Sequence, residues 1–174
     1  LEDLEIAEDT LVCFTSDHGD LLGSHDLYGK DKPLEESIHI PMIFRYPGTF
    51  ERSDPTDAFA GLTDLLPTFL ASCGVDIPDH VHGQDLSPYL RGDGDDPPRS
   101  VYVEGKLTTE SWRCLRTDEY MIAVDRDLES RHLYDMDADP HQLNNLAGDG
   151  IVAETEERLR ETLIKKSFEY DDYY

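Results

Sequence analysis

The chain has 174 residues, 38% of them hydrophobic, so it is long enough to bury a core and its composition is not that of a disordered segment. Its 39 Asp and Glu residues against 15 Lys and Arg give a formal net charge of −24, which disfavours nucleic acid and anionic membranes as partners. Moreover, no apolar run approaches the roughly 20 residues that span a bilayer.

Two short apolar runs near the beginning, TLVCF (10–14) and IPMIFRY (40–46), are typical of strands buried in a sheet. The polar, glycine-containing segment between them is predicted to form a loop with a short helical turn near residues 34–37. Two strands alone do not make a stable parallel sheet. We therefore expect further strands from a part of the protein that precedes residue 1.

Apolar side chains after the second strand recur at helical spacing; they are Leu62, Leu65, Leu66, Phe69 and Leu70. This spacing predicts a one-sided helix that ends before Gly74, a good left-handed terminator. Since proline is tolerated only in the first turn of a helix, Pro67 requires the helix to begin near Asp64.

The polar stretch RGDGDDPPRS marks a boundary, with Asp93, Asp95 and Asp96 as solvated linker residues. Beyond it, VYVEG, WRCLRT, YMIAVD and RHLYDM predict four short strands in an antiparallel meander. Residues 151–167 predict a helix that packs on this sheet. The expected fold class is α/β: residues 1–92 form the end of an α/β sheet domain. Residues 99–174 form a small α+β unit, a four-stranded antiparallel sheet with a C-terminal helix.

The stretch TSDHGDLLGSHDLYGK (15–30) is the candidate functional site, since its polar residues follow directly on the first predicted strand. A strand that ends in a loop displays polar side chains where α/β sheets place their ligand sites. Asp17 and His18 can give a divalent ion two ligands, which is half a site, and Lys30 can contact an anion. The same residues also fit a solvated loop with a surface histidine and a solubilising lysine.

The longer context resembles the sulfatase family. TSDHGDLLGSHDLYGK, followed by LEESIHIPMIFRYPG, is similar to a family segment of the form S-D-H-G-x-x-L-G-x-H-x-x-x-x-K. The stretches GLTDLLPTFLASCGVDIPDHVHGQDLSPYLRG, RCLRTDEYMIAV and HLYDMDADPHQLNNLAGD resemble later family segments in the same order. The resemblance covers roughly residues 10–160.

The resemblance implies an alkaline-phosphatase-like sheet domain and a site with a divalent metal, expected to be Ca²⁺. By position, Asp17 would be a metal ligand, His18 would lie at the metal or beside it, and Lys30 would contact the sulfate group of a small sulfated substrate. His25 falls inside the pattern without an assigned role, whereas two glutamates, Glu35 and Glu36, are expected to support the loop.

The family nucleophile is a formylglycine made from Cys or Ser in a C/S-x-P-x-R motif, and this chain has no such motif. Its cysteines stand in CFTSD, CGVDI and CLRTD, and SPYLR places proline one position too early. We therefore expect no catalytic residue here, and the chain is predicted to be an inactive C-terminal portion whose partner is the missing N-terminal portion, which carries the formylglycine.

Two rival functions stay open. The whole protein could be a phosphomonoester, phosphodiester or phosphonate hydrolase of the same superfamily, because only the nucleophile separates these enzymes. It could also be a non-catalytic remnant that acts as an interaction or calcium-binding module.

The other polar clusters in the sequence do not predict a functional site. DMDADP (135–140) begins like a calcium loop but has proline where an EF-hand needs glycine, so a turn is expected. His80 and His82 are expected to be incidental loop histidines, and Trp112 a core residue. Three cysteines in apolar contexts are expected to be buried reduced thiols, which favours a cytoplasmic location.

The acidic residues are spread along the whole chain and lysines are few, which suggests a halophilic source. Because salt screens the repulsion among these carboxylates, the free energy of unfolding is expected to rise with KCl concentration. Chemical denaturation across a KCl series measures this, and a stability that does not rise with salt would contradict the hypothesis.

Overall fold

Contacts group the chain into two compact units that interleave along the sequence. The first unit comprises residues 1–17 and 41–98, and the second comprises 18–40 and 99–174. The segment 18–40, between the first two strands, therefore belongs with the C-terminal part of the chain. The domain division of 1–92 and 99–174 stays a prediction. The computed structural model describes residues 1–51, 54–93, 97–105 and 110–172, so Asp95 and Asp96 lie outside the described residues.

The first unit contains the two expected strands, β1 (Val12–Thr15) and β2 (Met42–Arg45). They pair in antiparallel register, with Phe14 opposite Ile43. These two side chains are 61% and 58% exposed. Because strand side chains alternate between faces, this pair leaves one apolar face of the two-stranded sheet uncovered within the unit.

The predicted helix of the first unit is confirmed as α2 (Leu65–Ser72), preceded by a short 3₁₀ turn. Pro67 is its third residue, where no intrahelical N–H donor is lost. Gly74 follows with φ +67°, the left-handed conformation that ends helices. Before the helix, the buried Asp64 carboxylate accepts backbone N–H bonds from Gly61 and Gln84, both at 2.7 Å.

A second helix of this unit, α3 (Ser87–Arg91), was not predicted from the sequence. It is short, and Pro88 occupies its first turn, where proline is tolerated. The Thr68 hydroxyl of α2 accepts the Leu86 N–H at 2.9 Å, which holds the start of α3 against α2. A tertiary contact of this kind has no signature in hydrophobic periodicity.

The second unit confirms the predicted meander. Its strands pair antiparallel in sequence order and are β3 (Ser100–Gly105), β4 (Trp112–Thr117), β5 (Tyr120–Asp125) and β6 (Ser130–Asp135). The C-terminal helix is α4 (Ala153–Glu169), and the short turn near residue 35 is α1 (Glu35–Ile38). The predicted α/β class with a four-stranded antiparallel sheet and a C-terminal helix is confirmed.

The sheet of the second unit is covered on both faces. On one face, sheet residues pack with Leu159 and Leu163 of α4; they are Leu115, Ile122, Val124 and Leu133. On the other face, sheet residues pack with Leu21 and Leu34 of the segment 18–40; they are Cys114, Met121, Ala123 and Tyr134. The segment 18–40 is thus a structural layer of this unit and not a surface excursion.

The end of the described chain is fastened to the sheet by polar contacts. Arg113 of β4 donates two hydrogen bonds of 2.7 Å to the Asp172 carboxylate, which also accepts the Tyr102 hydroxyl of β3. Tyr102 stacks on Tyr170, with ring centroids 5.3 Å apart. A bidentate guanidinium–carboxylate pair of this kind fixes both distance and orientation.

The expectation of three buried thiols is wrong in part. Cys114 is buried, Cys13 is partly buried and Cys73 is exposed, all three as free thiols. Cys73 directly follows the last residue of α2, where a helix end faces solvent.

In the described part of the chain, none of the helices is long and apolar enough to cross a membrane.

The packing of α4 gives a test of the fold. Leu163 is fully buried, whereas Leu143 is 76% exposed. Replacing Leu163 by Ala should lower the free energy of unfolding by about 2–5 kcal/mol because it leaves a cavity. Leu143→Ala, the matched control, should change it by less than about 0.5 kcal/mol. Urea denaturation of the two variants measures both values, and equal losses would show that α4 does not cover the sheet as described.

Candidate functional site

Asp17 lies two residues beyond the end of β1 and is exposed. The Ser16 hydroxyl approaches its carboxylate at 3.5 Å. The carboxylate therefore lies in solvent just beyond the C-terminal end of the strand, where the sequence predicts exposed polar side chains. Asp17 belongs to the first compact unit, while the next residue, His18, and Lys30 belong to the second.

His18 is half-buried, and its ring orientation is set by its neighbour. The Nδ1 atom lies 2.7 Å from the Gly19 carbonyl oxygen. Because a carbonyl only accepts, Nδ1 carries the proton in this contact, and in the neutral ring Nε2 carries the lone pair. Histidines that bind metals are oriented by the same type of hydrogen bond, so this ring has the tautomer that a ligand needs.

Gly19 is required by a close approach of backbone to backbone. Its N–H donates to the Ser37 carbonyl at 2.9 Å. A Cβ atom added to it would lie 2.0 Å from the Glu36 carbonyl oxygen, closer than any side chain permits. The glycine of Asp-His-Gly therefore locks the start of the loop onto α1.

The loop after Gly19 is a folded structure built by backbone hydrogen bonds. The Asp20 carboxylate accepts the N–H of Leu22 at 2.9 Å and of Gly29 at 3.2 Å. The N–H of Leu21, whose side chain is buried, donates to the Gly29 carbonyl at 2.7 Å. Positive φ angles recur along the loop, at Leu22, Gly23, His25, Asp26, Gly29 and Asp31. Such angles are costly for non-glycine residues and persist only where surrounding contacts enforce them.

Lys30 stands between two fixed points of this loop and is exposed. On one side Gly29 is held by Leu21 and Asp20; on the other, the Asp31 carbonyl accepts the Trp112 indole N–H at 3.1 Å. Within the described residues, Lys30 forms no ion pair. The loop thus presents a solvated ammonium group from an ordered backbone.

The remaining acids and histidines near the loop act as supports. The Glu35 carboxylate accepts a hydrogen bond from Arg116 at 3.0 Å and lies 3.3 Å from His39 Nδ1. The Glu35 N–H donates to the Gln142 side chain at 2.7 Å. His25 lies 3.8 Å from Glu36. These contacts tie α1 and the loop to β4 and to the turn that follows β6.

The hydrogen bonds and charges around Glu35 shift the pKa values of Glu35 and His39. Burial alone would raise the pKa of Glu35, but the hydrogen bond with His39 and the positive charge of Arg116 outweigh it, so the pKa is lowered. The same hydrogen bond raises the pKa of His39. Arg116 and Gln142 are supporting residues that sequence reasoning missed, because they follow Glu35 by some 80–110 residues with no pattern that links them.

The other sequence candidates do not form a site among the described residues. No group of three His, Cys, Asp or Glu side chains in the described ranges could hold a metal. His80 is exposed and His82 partly buried, both in a loop. DMDADP forms the expected turn, in which the Asp135 carboxylate accepts the N–H groups of Asp137 and Ala138 at 3.1 and 2.9 Å.

A family model described as "N-sulphoglucosamine sulphohydrolase, C-terminal" matches residues 23–169. The chain belongs to this family. The predicted resemblance to the C-terminal portion of sulfatases is therefore confirmed.

Individual sulfatases agree with the family match. An N-acetylglucosamine-6-O-sulfatase of Bacteroides thetaiotaomicron is 29% identical over 99% of the chain and 32% of its own length. An ulvan-active sulfatase of Formosa agariphila is 31% identical over 100% of the chain and 36% of its own length. The chain thus spans about a third of the length of these relatives.

Solved structures extend the agreement to the fold. A protein in complex with its substrate D-glucosamine-2-N,6-O-disulfate superimposes with a TM-score of 0.88, at 28% identity over 99% of the chain and 37% of its own. The phosphonate monoester hydrolase of Agrobacterium radiobacter gives a TM-score of 0.87, at 25% identity over 98% of the chain and 37% of its own. The sulfatase C-terminal fold is therefore shared with phosphonate hydrolases of the alkaline phosphatase superfamily.

The backbone approach at Gly19 yields a test. Gly19→Ala should lower the free energy of unfolding by about 1–3 kcal/mol, because the added methyl group forces α1 away from the loop. Gly150→Ala is the matched control, since a Cβ at Gly150 meets no atom within 4 Å and its φ lies outside the left-handed range. Thermal unfolding of the two variants measures the difference; a Gly19→Ala protein as stable as the control would disprove the close approach.

Proposed function

We propose that the chain is the C-terminal part of an enzyme that hydrolyses sulfate monoesters of small sulfated substrates. The observation that carries this proposal is the ordered loop of a sulfatase-family chain, which follows Asp17 and His18 and presents Lys30 to solvent. A carboxylate, an oriented imidazole and an ammonium group come from this single short stretch of sequence. These are the groups needed to hold a cation and the anionic ester that the cation contacts.

Asp17 and His18 would hold a divalent metal, for which Ca²⁺ is our expectation. Their chemistry fits this role: the carboxylate is exposed, and the hydrogen bond of His18 to Gly19 leaves Nε2 as the metal-binding atom. Two ligands make half of a coordination sphere, and the rest would come from the part of the protein that carries the nucleophile. When bound, such a cation polarises the oxygens of the ester.

Lys30 would contact the sulfate group and stabilise the negative charge that develops on its oxygens during the reaction. This chain supplies no nucleophile, because no Cys or Ser in it stands in a C/S-x-P-x-R motif. The nucleophile would be a formylglycine in the N-terminal portion of the same protein. The chain by itself would therefore be inactive.

The substrate class we favour is a sulfated sugar. The relatives named above include an N-acetylglucosamine-6-O-sulfatase and a protein bound to a disulfated glucosamine as its substrate. The second candidate is a phosphonate or phosphate ester hydrolase, which is supported by the equally close fold of a phosphonate monoester hydrolase.

The free thiols support a reducing, cytoplasmic location, and the acidic composition supports a salt-adapted source.

The test uses the whole protein that contains this chain, with an aryl sulfate, N-acetylglucosamine 6-sulfate, an aryl phosphate and an aryl phosphonate monoester as substrates. The sulfates should be turned over fastest, and removal of divalent ions with EDTA should abolish activity until Ca²⁺ is restored. Lys30→Ala should lower kcat about 100-fold through lost charge stabilisation, and Asp17→Asn should weaken the dependence on the added metal.

Asp137→Asn and Lys165→Ala are the matched controls, since both residues are exposed and lie outside the proposed site. Faster turnover of the phosphonate than of the sulfates would move the protein to the second candidate function. Full sulfatase activity in Lys30→Ala would refute the role of this lysine.

A further inference from the structure

A second cationic position lies two residues after Lys30, where the segment 31–34 crosses the sheet of the second unit. The Asp31 carbonyl is held by the Trp112 indole N–H at 3.1 Å. Pro33 and Leu34 are buried, and Leu34 packs in the same cluster as Tyr134. Lys32 lies between these anchors with its side chain exposed.

The sheet presents a histidine and a tyrosine beside this lysine. His132 of β6 pairs with Ala123 of β5, on the face of the sheet that the segment 18–40 covers. Its Nδ1 atom lies 3.3 Å from the Tyr134 hydroxyl, and the two rings are stacked with centroids 6.0 Å apart. The segment 31–34 contacts Trp112 and packs in the cluster of Tyr134 on this same face, so Lys32 lies over the face that carries His132. In agreement, burial and then the positive charge of Lys32 lower the pKa of His132.

Lys30 and Lys32 are two exposed cations in a protein with a net charge of −24. Several basic side chains in the described ranges form ion pairs with carboxylates, for example Arg113 with Asp172, Arg116 with Glu35 and Arg131 with Asp125. Lys32 forms no ion pair with any described residue.

Acidic residues lie near this lysine and this tyrosine, and Asp31 directly precedes Lys32 in the chain. Burial and then the charge of Asp139 raise the pKa of Tyr134. The Asp139 carboxylate itself accepts the N–H groups of Leu143 and Asn144 at 3.0 and 2.7 Å. The Asp139 carboxylate is therefore held in its own turn.

We propose that Lys32, His132 and Tyr134 form a subsite for a second anionic group of the substrate, a sulfate or a carboxylate on the same sugar. This inference rests on the proposed function, in which Lys30 contacts the sulfate that is removed. Two residues of chain span at most about 7 Å, so Lys30 and Lys32 can address two substituents of one sugar unit. The ammonium group would donate a hydrogen bond to the second anion. When the Tyr134 hydroxyl donates to His132 Nδ1, the Nε2–H of His132 would donate a second one. The subsite selects doubly anionic substrates.

The test compares substrates with one and two anionic groups in the whole protein. The probes are N-acetylglucosamine 6-sulfate, glucosamine 2-N,6-O-disulfate and a 2-O-sulfated uronic acid. Lys32→Ala and His132→Gln should each lower kcat/KM about tenfold for the doubly anionic probes, the effect expected for one charge-assisted hydrogen bond. Both variants should act within about twofold of the unmodified protein on the singly anionic probe. The doubly anionic probe with the larger loss identifies the second anion.

Lys165→Ala removes an equally exposed lysine from α4 and should affect no probe, while Lys32→Arg should retain the preference for two anions. Equal losses on all three probes, or no loss on any, would overturn the subsite. Because Lys32 is exposed, its replacement tests the subsite even if His132→Gln proves unstable in thermal unfolding.

A failure of the subsite can be told apart from a failure of the proposed function. If the unmodified protein hydrolyses no sulfate, the proposed function fails, and calorimetric binding of the disulfated glucosamine then tests the subsite by itself. Binding about tenfold weaker in Lys32→Ala than in the unmodified protein would support the subsite, whereas equal binding would overturn it.

Discussion

The burial of Leu21 and Leu34 against the four-stranded sheet is the contact on which the loop geometry depends. These two side chains anchor the segment 18–40 to the face opposite α4, so that the segment becomes a layer of the second unit. Burial of a leucine contributes about 1.5–3 kcal/mol. Burial of both leucines therefore offsets a large part of the cost of the four positive φ angles at non-glycine residues between the two anchors, each of about 1–2 kcal/mol. Without these contacts to the sheet, the loop would lose the interactions that stabilise its conformation and position Lys30.

The same dependence explains why the C-terminal sheet carries residues that support the loop. Arg116 reaches Glu35, Trp112 holds the Asp31 carbonyl, and Gln142 accepts the N–H at the start of α1. Each contact joins positions far apart in sequence, so a substitution in β4 or in the turn after β6 can alter the loop without touching Lys30. Positional precision of about 1 Å matters for groups that bind a reacting ester. The meander is therefore part of the apparatus that positions the loop.

Regular elements were predictable wherever the hydrophobic pattern repeats. The meander strands alternate between the two covered faces, and Pro67 and Gly74 bound α2 as local chain chemistry requires. The hydrophobic pattern did not predict features that depend on the tertiary arrangement. These are the interleaving of the two units, the short helix α3, the exposure of Cys73, and the ion pair between Arg116 and Glu35. Asp17, His18 and Lys30 were predicted as site residues from a motif, and that prediction stands as a proposal. The residues that support the loop could not be predicted, because ion pairs across 80 residues leave no periodic signal.

The net charge of −24 poses a problem for any protein that binds an anionic substrate, because its field repels the ligand before contact. The range of that repulsion is the Debye length, about 10 Å at 0.1 M salt and about 3 Å at 1 M. At high salt the distant carboxylates are therefore screened, while a cation in direct contact with the ligand is not. A few local cations then suffice for binding. Under the proposed function, Lys30 and Lys32 suit this regime, since both side chains are exposed on a backbone that is fastened to the sheet, where a ligand can reach them at contact distance.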